Sequence, residues 1–355
     1  MVVGGGAASL MFPATRAARP ILKDLIFSHM DVTMNSTLAV SSIVVGTDFT
    51  PCSAVALGQA IRIAAWSNAK VHIVHVIDTI VVIELETALS PMQQGIRDSL
   101  VKDAEKSWAD FSKDIPGAAG LPIEVSINNR IVGILRRASE DKADLVVMGA
   151  FGNCAPDVGM GTVATACVRK SMTDVLLVRD TRPESGNAPF KTIVVAVDFS
   201  ANSLRAVERA AMFAAKDGAE LHLLHVFAAP WHQLHYRAPT PLTPPHQQKQ
   251  YRDGLDRRLD EFCRPALEAH VGLRTSRVVY DYNGHRSGIV EYAAKAGADL
   301  IVLGTRGRTN LRDLLLGSTA EKVLMESGCS ILAVKPEGFE HPLAKDETPA
   351  PSAMR

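Results

Sequence analysis

The sequence predicts two tandem doubly wound α/β domains, each a five-stranded parallel sheet flanked by helices. Three observations lead there: an internal repeat at about 150 residues, short β-branched runs with no polar face, and a helical apolar stripe after each of them. The repeat comes first because it fixes the rest. Ile43-Val-Val-Gly-Thr-Asp48-Phe-Thr50 aligns with Ile193-Val-Val-Ala-Val-Asp198-Phe-Ser200 at an offset of 150. The same offset aligns His72-Ile-Val-His75-Val76 with His222-Leu-Leu-His225-Val226. Ala143-Asp-Leu-Val-Val-Met-Gly149 matches Ala298-Asp-Leu-Ile-Val-Leu-Gly304 at 155, a drift that loop insertions explain. The length of 355 residues suits two domains better than one.

In the second copy, the run from Thr192 to Val197 reads as a strand buried on both faces. Ser200 stands where it can cap a helix whose Leu204, Val207, Ala211 and Ala214 share a stripe. Leu221 to Val226 is a second strand. The stretch from Ala229 to Pro245 is too proline-rich for regular structure. Gln247 to His270 reads as a helix, with Leu255, Leu259 and Phe262 inward. Thr275 to Tyr280, Leu300 to Leu303 and Ser330 to Val334 are the remaining strands. Helices over Ser287 to Ala296 and Ser318 to Ser327 separate them. Strands alternating with helices imply a parallel sheet covered on both sides. The first copy repeats this order between Ser42 and Arg179.

The expected organisation is a first domain over 41–180, a linker over 181–189 and a second domain over 190–336. The first 40 residues read as a disordered extension, with translation from Met30 or Met34 as an alternative. The Pro- and Ala-rich tail over 337–355 also reads as disordered. Lys plus Arg and Asp plus Glu both number 38, so no net field draws the chain to nucleic acid or an anionic membrane. No apolar run is long enough to span a bilayer. Five scattered cysteines without a CxxC pair read as reduced thiols in a cytoplasmic protein.

The chemistry concentrates in Gly304-Thr-Arg306-Gly307-Arg308-Thr-Asn-Leu-Arg312-Asp-Leu-Leu-Leu-Gly317-Ser318, where the fourth strand gives way to a helix. Glycines there let backbone amides approach a phosphate at the positive end of a helix dipole. Ser318 supplies a hydroxyl, as a cap or toward a phosphate oxygen, and the three arginines add charge. The spacing is neither Walker A nor GxGxxG. Gly-x2-Gly-x9-Gly-Ser together with Val-Asp-Phe-Ser on the first strand resembles the universal stress protein family in its ATP-binding branch. The resemblance runs from about Ser41 to Pro336. It implies the strand order 3-2-1-4-5, with a ligand at the switch point between the first and fourth strands. It also implies that Asp198 contacts the nucleoside of ATP, or of Mg2+-ATP. The Val226 backbone would read the adenine edge, and Gly304, Gly307, Gly317 and Ser318 would hold the phosphates. An Asp at position 198 serves equally well to cap the helix near Ser200.

The first copy keeps Asp48, Val76, Gly149, Gly152, Gly161 and Thr162, which are weaker candidates for the same roles. Its loop is one residue shorter, lacks arginine and carries Asp157 where phosphate would lie. Tight ATP binding is therefore expected in the second copy alone. The HxxH pairs cannot share a metal, because strand residues three apart face opposite sides. His232, His235 and His246, with Trp231 and Tyr236, read as a mobile flap near the nucleotide.

The expected function is a stress-response regulator that changes shape on binding ATP and acts on a protein partner. The alternatives are a slow ATP hydrolase or nucleotidyl-transfer enzyme, and a scaffold that binds nothing. The resemblance implies that the two copies pair as single-copy members do, through their fifth strands (Asp174 to Val178 and Ser330 to Val334), as a pseudo-dimer, with a homodimer as a further step.

Overall fold

Alternating burial explains why both copies build the same strands. Along β1 (Ser42–Gly46), Ile43 and Val45 join the core on one face while Val44 joins the core on the other. Ile193, Val195 and Val194 do the same in β6 (Thr192–Ala196). A strand buried on both faces has no use for a polar residue. Residues 39–89, 95–152, 160–231, 245–307 and 316–338 are described by a computed structural model of the chain. Apart from Ala39, Val40, Glu337 and Gly338, the expected extension and tail lie outside these residues. Val40 is itself buried in the core.

The first copy runs β1, α1 (Pro51–Ser67), β2 (Lys70–Asp78), α2 (Thr79–Leu89), α3 (Ile96–Phe111), β3 (Ile123–Asn128), α4 (Arg130–Glu140), β4 (Leu145–Gly149), α5 (Thr162–Lys170) and β5 (Asp174–Val178). The second runs β6, α6 (Ala201–Asp217), β7 (Glu220–Phe227), α7 (Pro245–Leu267), β8 (Thr275–Asp281), α8 (His285–Lys295), β9 (Leu300–Gly304), α9 (Ser318–Glu326) and β10 (Ser330–Val334). Ser200 is the N-cap of α6 and forms a reciprocal capping box with Ser203, while Thr50 caps α1. The helix expected from Gln247 begins two residues sooner, at Pro245, and takes in His246. Proline is tolerated there because a first-turn amide lacks an intrahelical acceptor anyway.

The strand order is β3-β2-β1-β4-β5-β10-β9-β6-β7-β8, so each copy has the order 3-2-1-4-5. The two sheets are not separate. β5 and β10 pair antiparallel, with Leu332 opposite Leu176, and fuse them into one ten-stranded sheet. Antiparallel joining puts the carboxyl ends of the two sets of strands on opposite edges. Each core layer runs through both copies: Val45 and Val195 share one, Val44 and Val194 the other.

The linker has structure of its own, and one residue of the expected flap differs from expectation. Residues 181–189 include a 3-10 turn, Pro183–Gly186, seated on α1. Gln59 Nε2 donates to the carbonyls of Ser185 (2.6 Å) and Ala188 (2.9 Å), which anchors the linker. Trp231 is buried against Phe227 and Tyr251 rather than mobile, since a ring of that size stabilises most when covered. His232, His235 and Tyr236 lie outside the described residues.

Candidate functional site at the switch point of the second copy

The turn after β6 is set by one unusual residue. Phe199 has φ of 63°, a left-handed conformation that a bulky side chain rarely adopts. Its ring packs 4.5 Å from the His225 ring and against Phe262, with the Arg258 guanidinium 4.1 Å away. That packing holds the strain and turns Asp198 toward the carboxyl edge of the sheet. Asp198 Oδ1 accepts from the Ser200 amide (3.0 Å) and hydroxyl (2.5 Å). The carboxylate therefore steadies the capping residue and does not cap α6 itself. Its Oδ2 faces the glycine loop, where a Cβ added to Gly307 would meet it at 2.7 Å. Any larger residue there must push the Asp198 carboxylate aside.

The loop is pinched at its base, where the Gly317 amide donates to the Thr305 carbonyl at 2.8 Å. Thr305 is buried, and its hydroxyl and amide both donate to the Val334 carbonyl. Asn202, in the first turn of α6, donates from Nδ2 to the Arg306 carbonyl at 3.1 Å. A Cβ on Gly304 would meet that same amide nitrogen at 2.6 Å. The sequence reading missed Asn202 and Thr305. The available signal was their replacement by Cys52 and Ala150 in the first copy.

Beyond the pinch, Gly317 is the N-cap of α9 and Ser318 its first helical residue. Ser318 is therefore not the cap, and Gly317 has no side chain to serve as one. The first amides of α9 have no intrahelical acceptor and stand at the positive end of the helix dipole. On the other side of the crevice, β6–β7 pairing ends at Ala196 opposite Leu224. The Val197 amide still donates to the Leu224 carbonyl, but the Val197 carbonyl takes His225 Nδ1 at 2.8 Å. The imidazole replaces the next ladder donor. Two residues past Leu224, the Val226 peptide lies on the same strand edge and faces the crevice. Burial holds the His225 imidazole below its ordinary range, against the pull of the Val197 carbonyl.

These residues enclose a cavity of about 740 Å³. Its walls include Asp198, Val226, Gly304, Arg306, Gly307, Gly317 and Ser318. Seven of the eight expected contact residues in the second copy thus meet at one cavity. The eighth, Arg308, lies outside the described residues, as do Arg312 and Asp157. Another wall residue is His285, whose Nδ1 lies 2.8 Å from the Val226 carbonyl oxygen. Nothing in its sequence context pointed to it.

The sequence profile of the universal stress protein family matches residues 40–179 and again 189–335. The chain belongs to the universal stress protein family. A 47-residue stretch is 55% identical to Universal stress protein MJ0531 of Methanocaldococcus jannaschii, covering 13% of this chain and 28% of that one. Over 302 residues it is 26% identical to a universal stress protein of Mycolicibacterium smegmatis, covering 83% of this chain and 97% of that one. A universal stress protein from Archaeoglobus fulgidus has the same fold at a TM-score of 0.56 and 18% identity, over 83% of this chain and 98% of that one.

The first universal stress copy repeats the frame with different fittings. Phe49 has φ of 62° and stacks on His75, and Thr50 donates to Asp48. A Cβ on Gly152 would lie 3.2 Å from Asp48 Oδ2, and the Gly161 amide donates to Ala150 at 2.8 Å. Thr162 begins α5, and Gly149 sits against Cys52. The Cys52 thiol donates to the carbonyl of Val178, the counterpart of Val334, and the Phe151 and Ala150 amides reach its sulfur, so it offers the loop base an acceptor where Asn202 offers a donor. Phe151 stands where the second copy has Arg306. Val76 packs under Gly133, and Arg130, the counterpart of His285, pairs with Asp78 at 3.4 Å.

His72 and His75 face opposite sides as expected: His72 lies beside Asp141, at the end of α4, and His75 under Phe49. His222 and His225 part in the same way, toward Tyr292 and Phe199. Cys52, Cys167, Cys263 and Cys329 are free thiols, and the first three are buried. Among the described residues no helix is long and apolar enough to cross a membrane.

Proposed function

We propose that the second copy binds one adenine nucleotide, ATP or its Mg2+ complex, and that the protein is a cytoplasmic stress-response regulator whose nucleotide state alters the surface shown to a partner. The observation that carries this reading is the uncapped start of α9 opening into a cavity opposite Asp198. Amides at Ser318 and the two residues after it would take the terminal phosphates. Arg306 would add charge, Asp198 would meet the ribose or the magnesium ion, and the Val226 edge would meet the base. ATP supplies binding energy and, through its γ-phosphate, a difference between two states of the loop. The first copy, with Phe151 for Arg306 and Cys52 for Asn202, acts as a structural partner.

The test is to identify small molecules released from freshly purified protein by mass spectrometry and to titrate ATP by calorimetry. Gly317→Trp and Asp198→Ala should each weaken binding at least tenfold. Wild-type affinity in both variants would show that the site lies elsewhere.

A further inference from the structure

The Val226 carbonyl, on the strand edge proposed to read the base, already has a protein partner. It is a bare acceptor, so the nitrogen 2.8 Å away must carry the proton, and His285 Nδ1–H donates to it. His285 is the first residue of α8, exposed, and follows Gly284, whose φ of 122° turns the chain back over the end of β7. We infer that His285 is a specificity-determining residue: it occupies the base-reading carbonyl and sets how strongly the site rewards an exocyclic amine. This inference rests on the adenine reading above and adds a residue to it.

The Val226 oxygen has two lone pairs, and the imidazole N–H takes the one beside the cavity that His285 and Val226 both line. A 6-aminopurine amine that approaches from the cavity displaces it, so the new hydrogen bond replaces an old one. A purine without the amine leaves His285 in place and forfeits nothing. The wild-type site therefore discriminates weakly between the two. Without His285 the carbonyl waits unpaired, the amine gains a full partner, and a purine lacking it leaves a polar group unsatisfied. The first copy has no such device, because Arg130 is paired with Asp78. Since His285 is exposed and at the first helical position, its removal leaves the core of α8 intact.

The experiment titrates ATP and purine riboside 5′-triphosphate, which lacks the 6-amino group, into the full chain and into His285→Ala. The expected result is ATP affinity raised about fivefold, the net worth of one hydrogen bond, with the amine-free nucleotide unchanged or weaker. An equal change for both nucleotides, no change, or weaker ATP binding overturns the inference. A wild-type chain that binds neither nucleotide overturns the adenine reading itself.

Discussion

Asn202 shows how one side chain separates two copies of a fold. Its amide donates to the Arg306 carbonyl and ties α6 to the loop, whereas Cys52 at the matching place donates to Val178 and meets the loop base only through amides that reach its sulfur. Replacing Asn202 by Cys should leave the strand intact and free the loop base. We expect nucleotide affinity to fall about five- to tenfold, with a stability loss of about 1 kcal/mol in urea unfolding. The glycines of the loop were legible because close approach of backbone to neighbouring groups favours the residue without a Cβ. Asn202 was not, because a polar residue in a first helical turn has ordinary local reasons to be there. His285 gave even less signal, since its role depends on a carbonyl 59 residues away.

Elements meet where side chains are missing. A Cβ on Gly288 of α8 would lie 2.6 Å from Val226 Cγ1, as one on Gly133 of α4 would lie 2.8 Å from Val76 Cγ2. Gly288→Ala must push the strand edge or the helix, and we expect a loss of about 1–3 kcal/mol together with weaker nucleotide binding. Gly254 in α7 has nothing within 4 Å of such an atom, so Gly254→Ala should stabilise by about 0.5–1 kcal/mol. Thermal melts of the two variants should move in opposite directions. Strands and helices were legible at this scale because burial on two faces and a 3.6-residue stripe leave plain patterns. The exception is α2, which carries exposed Ile80, Val81 and Ile83 and buries only Val82. So apolar a segment gives no stripe to read.

Across the whole molecule, the first copy braces the second where the glycine loop is rooted. Asp174, at the start of β5, accepts from Arg209 Nε and from the Lys335 amide, each at 2.8 Å. Lys335 Nζ donates to the Val168 carbonyl in the last turn of α5. The mirror contact joins Arg179 to the Leu324 carbonyl of α9. Asp174 and Arg209 are both almost fully buried, so Asp174→Asn should cost about 3–5 kcal/mol by removing the carboxylate charge from a buried ion pair. Burial pushes Lys335 down to about 8, with Asp174 pulling it up and Arg306 pushing it down. Between pH 8 and 10.5 the unfolded chain then holds more protons at this site than the folded chain. Stability from this group rises with pH across that window. The stability of wild type relative to Lys335→Met should therefore improve by up to about 3 kcal/mol over the same range. Pairing through the fifth strands was legible from the family resemblance, applied to two copies in one chain. The charge network was not, since Ser330 stands where symmetry would place a second Asp174.

The proposed function divides a duplicated fold into one copy that would bind nucleotide and one that supplies the frame. The stoichiometry of ATP binding to the intact chain tests this most directly, measured for wild type, Gly317→Trp and Gly161→Trp. One site per chain, lost in Gly317→Trp and kept in Gly161→Trp, is the predicted result. Two sites per chain, or a single site lost only in Gly161→Trp, would contradict it.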